Sequence, residues 1–127
     1  VSQSLKQGGR AGIQAITIND GDFETYKSNP DFIQRYIFPG GMLLSPTAMQ
    51  SLGRSSGLSI ANQTIFGIDY GDTLAEWRRR FLAAWPHIAP LGFDERFKRM
   101  WEFYLVYCEA GFRAKTIDVR QVIYQKV

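Results

Sequence analysis

The sequence contains one cysteine, Cys108, and one histidine, His87, among its 127 residues. A single cysteine excludes an internal disulfide, and one cysteine with one histidine cannot assemble a zinc cluster. We therefore expect no metal site and a reducing, cytoplasmic environment. Long apolar runs are also missing, since Pro86 and Pro90 interrupt the longest candidate, Phe81 to Phe93. The sequence thus predicts no membrane span.

Composition is typical of a single globular domain. With 45% hydrophobic and 14% aromatic residues, the chain can bury one ordinary core. Lys and Arg number 15 and Asp and Glu 12, which gives a net charge of +3. This surplus favours an anionic partner, such as phospholipid headgroups or nucleic acid, without selecting between them. Val1 to Lys6 lack both a signal peptide pattern and a starting Met, so we expect a piece of a longer protein.

Local patterns predict an alternation of strands and helices. Asn29 followed by Pro30 is typical of a helix start, and β-branched runs mark the strands. Gly8 and Gly9 supply a positive φ before the first strand. The predicted elements are, in chain order, a strand over Ile13–Ile18, helices from about Pro30 to Ile37 and from Ser45 to near Gly57, a strand over Leu58–Phe66, an amphipathic helix over Leu74–Ile88, a long helix from Asp94 to about Phe112 and a strand over Ile117–Tyr124.

This order of elements predicts an α/β layered sheet. The first strand is apolar on both faces apart from Gln14 and Thr17, which is typical of a buried parallel strand. The last helix and strand can supply an antiparallel edge strand. The chain then forms the C-terminal half of a doubly wound fold with about three strands. Because so thin a sheet exposes apolar edges, we expect it to form a homo-oligomer.

Several short segments carry a resemblance to a known family. They are Leu5-Lys6-Gln7-Gly8-Gly9-Arg10, the stretch Arg35-Tyr36-Ile37-Phe38-Pro39-Gly40-Gly41, Asp69-Tyr70-Gly71-Asp72-Thr73-Leu74, Arg96-Phe97-Lys98-Arg99-Met100 and Phe112-Arg113-Ala114. In this order they resemble the C-terminal part of the cyclopropane fatty acid synthases, which are S-adenosylmethionine-dependent methyltransferases that modify unsaturated acyl chains. The resemblance covers nearly the whole chain.

The resemblance also implies how the domain is divided. Residues 1–127 are expected to be the C-terminal fragment of one Rossmann-like methyltransferase domain. No strand is followed in sequence by a Gly-x-Gly loop and a helix, which is the usual cradle of the adenosyl cofactor. We therefore expect the S-adenosylmethionine site to lie upstream and no cofactor-binding residue to lie in this chain.

The resemblance implies two catalytic positions. Tyr70 matches the tyrosine that holds a bicarbonate ion, the base thought to remove a proton so that the three-membered ring can close. A phenol suits this task because it donates a hydrogen bond while its ring packs on hydrocarbon. The backbone N–H of Ile18 matches a second donor to the anion. Ile16 stands where the family has a histidine. Two alternatives are therefore open: a cyclopropane product formed with bicarbonate as the base, or a methyl-branched or methylene lipid.

Two further positions match the substrate-binding pocket for the acyl chain. Phe38 matches an aromatic wall, where a ring face can stabilise a passing cation by about 1 kcal/mol. Cys108 matches a cysteine near the same pocket. From the residues alone, Phe38 is equally a core residue, and Cys108 in an apolar helix stripe is an inert thiol, since burial raises the pKa of a cysteine.

The resemblance implies the C-terminal part of an enzyme that transfers the methyl of S-adenosylmethionine to the double bond of unsaturated acyl phospholipids. We expect it to act peripherally at the inner face of the membrane, and this fragment alone to be inactive. A non-catalytic dimerisation or membrane-docking module, using the helix with Trp77 and Trp85, is an alternative. Nucleic-acid binding through Arg78 to Arg80 ranks last, because the aromatic residues lie on the apolar stripe and not among the arginines.

Overall fold

The structure, a computed structural model, describes residues 1–127 and contains one three-stranded sheet with helices on both faces. The strands and main helices are β1 (Arg10–Ile18), α1 (Asp20–Ser28), α2 (Pro46–Ser55), β2 (Leu58–Ile65), α3 (Gly67–Ile88), α4 (Glu95–Arg113) and β3 (Ile117–Lys126). Short helical turns cover Ser2–Ser4, Ile33–Ile37 and Ala89–Leu91. No helix combines the length and the hydropathy that crossing a bilayer requires.

The sheet has the order β1-β3-β2, and β3 is antiparallel to both neighbours. The predicted fold class, with about three strands and helices, is confirmed, but two placements were wrong. Strand β1 pairs only with antiparallel β3 in this sheet and buries only Thr17 and Ile18. Strand β3, predicted at an edge, is central, because β1 pairs along one of its edges and β2 along the other. Its side chains Val119 and Val122 are 1% exposed and point to opposite faces of the sheet.

Side-chain caps begin two of the predicted helices. The hydroxyl oxygen of Ser45 accepts a hydrogen bond from the N–H of Ala48 at 3.2 Å before α2. The carboxylate of Asp94 accepts one from the N–H of Phe97 at 2.8 Å before α4. Each cap satisfies a backbone donor that has no partner inside its helix, which is why the sequence located both starts. On α2, Met49 is buried whereas Leu52 is 54% exposed.

The segment after β1 differs most from the prediction. Helix α1 was not predicted, and the expected helix from Pro30 to Ile37 is a single π-helical turn over Ile33–Ile37. Asn29, the predicted N-terminal cap, ends α1 instead. Helix α1 buries no residue and so has no apolar stripe to detect. It is anchored by a distant contact, in which the carboxylate of Asp20 accepts the N–H of Thr47 at 3.1 Å.

Two apolar clusters cover opposite faces of β3. On one face, Val119 joins residues of the α3–α4 hairpin in a cluster of Leu74, Leu105, Cys108, Phe112 and Val119. On the other, Val122 and Tyr124 pack with Met49 of α2 and Leu58 of β2. Helix α3 begins at Gly67, earlier than the predicted Leu74. Tyr70 therefore lies within the first turn of a helix and above the first cluster.

Candidate functional site

A buried glycine holds the start of α3 against β3. The N–H of Gly67 donates to Oδ1 of Asp118 at 2.8 Å, and a Cβ at position 67 would collide with that carboxylate. In the same turn, the half-buried ring of Tyr70 lies edge-on to Phe112, with centroids 5.2 Å apart, and to Trp77 at 5.8 Å. The close approach at Gly67 thus places Tyr70 on the aromatic core.

Helix α4 presents Tyr104, Cys108 and Phe112 on one face, because the three are spaced by four residues. Cys108 and Phe112 are buried, at 6% and 1% exposure. Burial, followed by the negative charge of Asp31, raises the pKa of the Cys108 thiol to about 11. The thiol is therefore protonated at neutral pH and is a poor nucleophile.

Phe38 reaches this face of α4 from the Pro-Gly-Gly turn. Its backbone N–H donates to the carbonyl of Ile33 at 2.8 Å and closes the π turn. Gly40 then adopts a φ of +80°, which glycine accepts without strain. The ring of Phe38 is 55% exposed and lies edge-on to Tyr104, with centroids 6.1 Å apart. This turn therefore holds Phe38 at the rim of the core.

Tyr104 is the residue around which the predicted side chains converge, and the sequence analysis did not single it out. It packs on the cluster that contains Cys108, as Tyr70 does. Burial, and then the charges of Cys108 and Tyr70, raise the pKa of the Tyr104 hydroxyl. Neither this hydroxyl nor that of Tyr70 forms a hydrogen bond within the chain, and neither is fully enclosed. Two phenol groups thus stand free to bind a ligand. The four-residue spacing to Cys108 was the signal that could have revealed Tyr104.

Strand β1 contributes Ile16 and Ile18. The side chain of Ile16 packs on the same apolar cluster as Tyr70, so the position that holds a histidine in the resembling family does face the candidate site. Ile18 is buried, and its N–H donates to the carbonyl of Leu44 at 3.1 Å. The Ile18 amide is therefore not free to bind an anion in this structure, in contrast to the prediction from the sequence.

A groove of about 570 Å³ adjoins this cluster, between α1, the segment that follows it and α4. Ile33 belongs to both, since it lines the groove and packs on the cluster. The groove has an apolar floor that includes Ile18 and Ile117, and polar groups stand along its sides. The sequence analysis missed this groove because α1, which forms one side of it, was not predicted.

The chain offers no cradle for an adenosyl cofactor. Strand β1 passes through Asn19 directly into α1 without a glycine-rich turn, and Gly21 lies inside that helix. The side-chain amide of Asn19 donates a hydrogen bond to the carbonyl of Lys115 at 2.8 Å. No group of three His, Cys, Asp or Glu residues is arranged to hold a metal ion either.

The three consecutive arginines of α3 form ion pairs with two glutamates. Arg79 and Arg80 both bind the carboxylate of Glu76, at 2.7 and 2.8 Å. Arg78 crosses to Glu102 of α4 at 2.7 Å and joins the two helices. These arginines therefore form a solvated, ion-paired helix face, and the structure gives no support to a phosphate-binding patch there.

The chain is similar to known proteins in sequence and in fold. The family described as mycolic acid cyclopropane synthetase matches residues 1–122. The chain belongs to this family. The tuberculostearic acid methyltransferase of Mycobacterium tuberculosis is 43% identical over 122 residues, which cover 95% of the chain. The cyclopropane-fatty-acyl-phospholipid synthase of Escherichia coli is 42% identical over 97 residues, which cover 75% of it.

Solved structures agree with this assignment. The cyclopropane synthase MmaA2 of Mycobacterium tuberculosis matches 98% of the chain with a TM-score of 0.86 at 21% identity. The mycolic acid cyclopropane synthase CmaA1, complexed with SAH and CTAB, matches 93% with a TM-score of 0.81 at 25% identity. The chain spans 47% and 44% of these two proteins, and 29% and 24% of the two curated relatives.

Membership of the cyclopropane synthetase family confirms the resemblance seen in the sequence and the predicted fold class. The family consists of S-adenosylmethionine-dependent methyltransferases that modify lipids. The chain has the fold of about half of such an enzyme. The individual roles of Tyr70, Ile18, Phe38 and Cys108 stay predictions.

Proposed function

We propose that this chain is the C-terminal part of an S-adenosylmethionine-dependent methyltransferase that acts on the double bond of unsaturated acyl phospholipids. The observation that carries the proposal is the convergence of Tyr70, Phe38 and Cys108 around Tyr104, on an apolar cluster with two free phenol groups. An acyl chain needs an apolar wall, and a reaction on it needs a few placed polar groups. The cofactor-binding half is proposed to lie upstream of residue 1.

The cofactor supplies an electrophilic methyl group, and the residues of this chain act on the acyl chain that receives it. In this transfer the π electrons of the double bond would form the new carbon–carbon bond while the methyl–sulfur bond of the cofactor breaks, and positive charge would appear on the neighbouring acyl carbon. Aromatic rings attract such a cation, by about 1 kcal/mol or more where water is excluded. Tyr70, Tyr104 and Phe38 are proposed to surround this carbon, and the buried Cys108 keeps the wall apolar.

Ring closure requires that the transferred methyl group lose a proton to a base. No residue of the cluster is suited to accept it, because Ile16 is apolar and the Cys108 thiol is protonated at neutral pH. We therefore propose that the base, bicarbonate in the cyclopropane reaction, is bound mainly by residues outside this chain. The free hydroxyl of Tyr70 would donate one hydrogen bond to it.

The apolar Ile16 favours a second product. If no base removes the methyl proton at once, a hydride can shift from the carbon that bears the new methyl group to the neighbouring cation. The proton then leaves the methyl group and gives a methylene lipid, which a separate hydride donor would have to reduce to a methyl branch. Cyclopropane and methylene products each retain one added CH₂ unit, and a reduced methyl branch carries two further hydrogens.

We further propose that the intact protein works at the cytoplasmic face of the membrane and forms a homo-oligomer. Support for self-association comes from β2, which lies at the edge of the sheet and is exposed over Ala61–Ile65. An unpaired strand edge favours pairing with another chain. Light scattering on the full-length protein tests this proposal, and a stable monomer at high concentration would refute it.

The enzyme proposal can be tested in a bacterial host that lacks lipid methyltransferases and expresses the full-length protein. Mass spectrometry of the phospholipids should detect acyl chains that are one CH₂ unit heavier, and proton NMR should identify ring or methylene protons. Tyr70→Phe should lower the product yield strongly while leaving cofactor affinity near that of the wild type. Tyr36→Phe is the matched control, because Tyr36 is 62% exposed. A wild-type yield from Tyr70→Phe would remove Tyr70 from the mechanism.

A further inference from the structure

The groove between α1 and α4 has a chemical character unlike that of the aromatic cluster beside it. Two carboxylates, Asp22 and Asp31, line it, and no lysine, arginine or histidine does. Neither carboxylate takes part in an ion pair. The groove therefore presents two carboxyl groups that form no ion pair within the chain.

Two phenol rings stand with these carboxylates. The hydroxyl of Tyr107 donates to Oδ2 of Asp31 at 3.1 Å, which fixes the acid at the side of the groove. The hydroxyl oxygen of Tyr26 accepts a hydrogen bond from the N–H of Leu43, which precedes α2, at 3.0 Å. Burial, and with it the charge of Asp31, raises the pKa of both phenols. Aromatic rings and carboxylates in one groove are the groups that recognise organic ammonium ions.

The rest of the groove is apolar. Ile18, Leu43 and Ile117 line it, together with the small residues Ala110 and Ala114 of α4. A volume of about 570 Å³ is that of a small-molecule site and is far larger than a metal ion needs. The lining thus fits an amphiphile in which an ammonium group is joined to a hydrocarbon chain.

We propose that this groove binds the ammonium-bearing headgroup region of a phospholipid. The headgroup nitrogen lies between Asp22 and Asp31, against the rings of Tyr26 and Tyr107. This assignment rests on the proposed function. The groove meets the aromatic cluster at Ile33, so a lipid whose headgroup lies in the groove can direct an acyl chain towards Tyr104.

The test uses the purified chain and soluble amphiphiles below their micellar concentrations. Calorimetry should give decyltrimethylammonium an affinity about fivefold or more above that of decyl maltoside, which has the same tail and no charge. Fivefold corresponds to about 1 kcal/mol, the upper range for a solvated ion pair. Choline, which has the charge without the tail, should bind more weakly than either. Added salt should weaken only the cationic amphiphile.

Substitutions locate the binding. Asp31→Asn and Asp22→Asn should each bring the affinity for decyltrimethylammonium towards that of decyl maltoside, whose own affinity should stay unchanged. Asp69→Asn is the matched control, because Asp69 is also an exposed acid in the first turn of a helix and lies outside the groove. Asparagine keeps the side-chain oxygen that caps Gln34, so Asp31→Asn should fold, and Asp22→Asn provides an independent variant.

Equal affinities for the two amphiphiles, or undiminished binding of the cationic one in both variants, would overturn the proposal. Choline binding as tight as that of the amphiphile would exclude a lipid. The assay contains no methyl donor and measures no reaction. Its failure would therefore remove the headgroup site and leave the proposed methyl transfer standing, whereas unmodified host lipids would refute the methyl transfer alone.

Discussion

The packing of Tyr70 on Phe112 can be measured through Phe112→Leu. Phe112 is 1% exposed, so the smaller leucine loses buried surface and leaves a small cavity, at a cost of about 1 kcal/mol. The edge-on pair with Tyr70, at 5.2 Å between centroids, adds about 1 kcal/mol. We expect the free energy of unfolding to fall by about 2 kcal/mol in total. For a domain of this size that lowers Tm by about 6–10 °C.

Urea denaturation of the wild type, Phe112→Leu, Tyr70→Leu and the double variant isolates the contact between the two rings. The losses of unfolding free energy in the two single variants should add up to about 1 kcal/mol more than the loss in the double variant. The reason is that the second substitution removes no further ring contact once the first has removed it. Phe103→Leu is the control. Phe103 is 51% exposed, and its ring pairs are with Phe32 and Tyr107 and not with Tyr70, so the cost of Phe103→Leu should combine additively with that of Tyr70→Leu.

Additive effects at positions 70 and 112 would refute the reasoning. They would mean that the Tyr70 ring does not lie on the aromatic core, and the candidate site would lose the side chain on which its geometry depends. A changed dependence on urea concentration in any variant would instead indicate that the folded or unfolded ensemble had altered, and that variant would be replaced by Phe112→Met.

Three further outcomes are expected. Gly67→Ala should destabilise the chain by about 2 kcal/mol or more in urea denaturation, because the added Cβ meets the Asp118 carboxylate. Gly21→Ala is the control, since a Cβ there has open space and should stabilise the chain slightly. Equal effects of the two substitutions would contradict the contact. Alkylation of Cys108 by iodoacetamide should be slow at pH 8 and accelerate towards a pKa of about 11, and the free energy of unfolding should fall above about pH 9, where the unfolded thiol ionises first; fast alkylation at pH 8 would contradict its burial. Calorimetry should detect negligible binding of S-adenosylmethionine to this chain alone, and micromolar affinity would overturn the proposed position of the cofactor site.

The sequence predicted those elements whose signals are local. Ser45 and Asp94 located two helix starts, because a cap acts within four residues. Helix α1 was missed, since it buries no side chain and depends on the contact of Asp20 with Thr47 across 27 positions. Tyr104 was passed over as one more aromatic residue in a broad apolar stripe.

By itself, then, the sequence determined the family and the fold class and singled out Tyr70, Phe38 and Cys108, because short motifs and caps are properties of neighbouring residues. Only the tertiary structure decided which strands, helices and side chains contact one another. Strand order depends on pairing between distant segments, and it placed β3 at the centre of the sheet and used the Ile18 amide to bind Leu44. The same long-range packing placed Phe38, Tyr70 and Cys108 near Tyr104 and formed the acidic groove beside them. Burial and local charge depend on contacts between elements that are far apart in the chain, so they cannot be read from neighbouring residues.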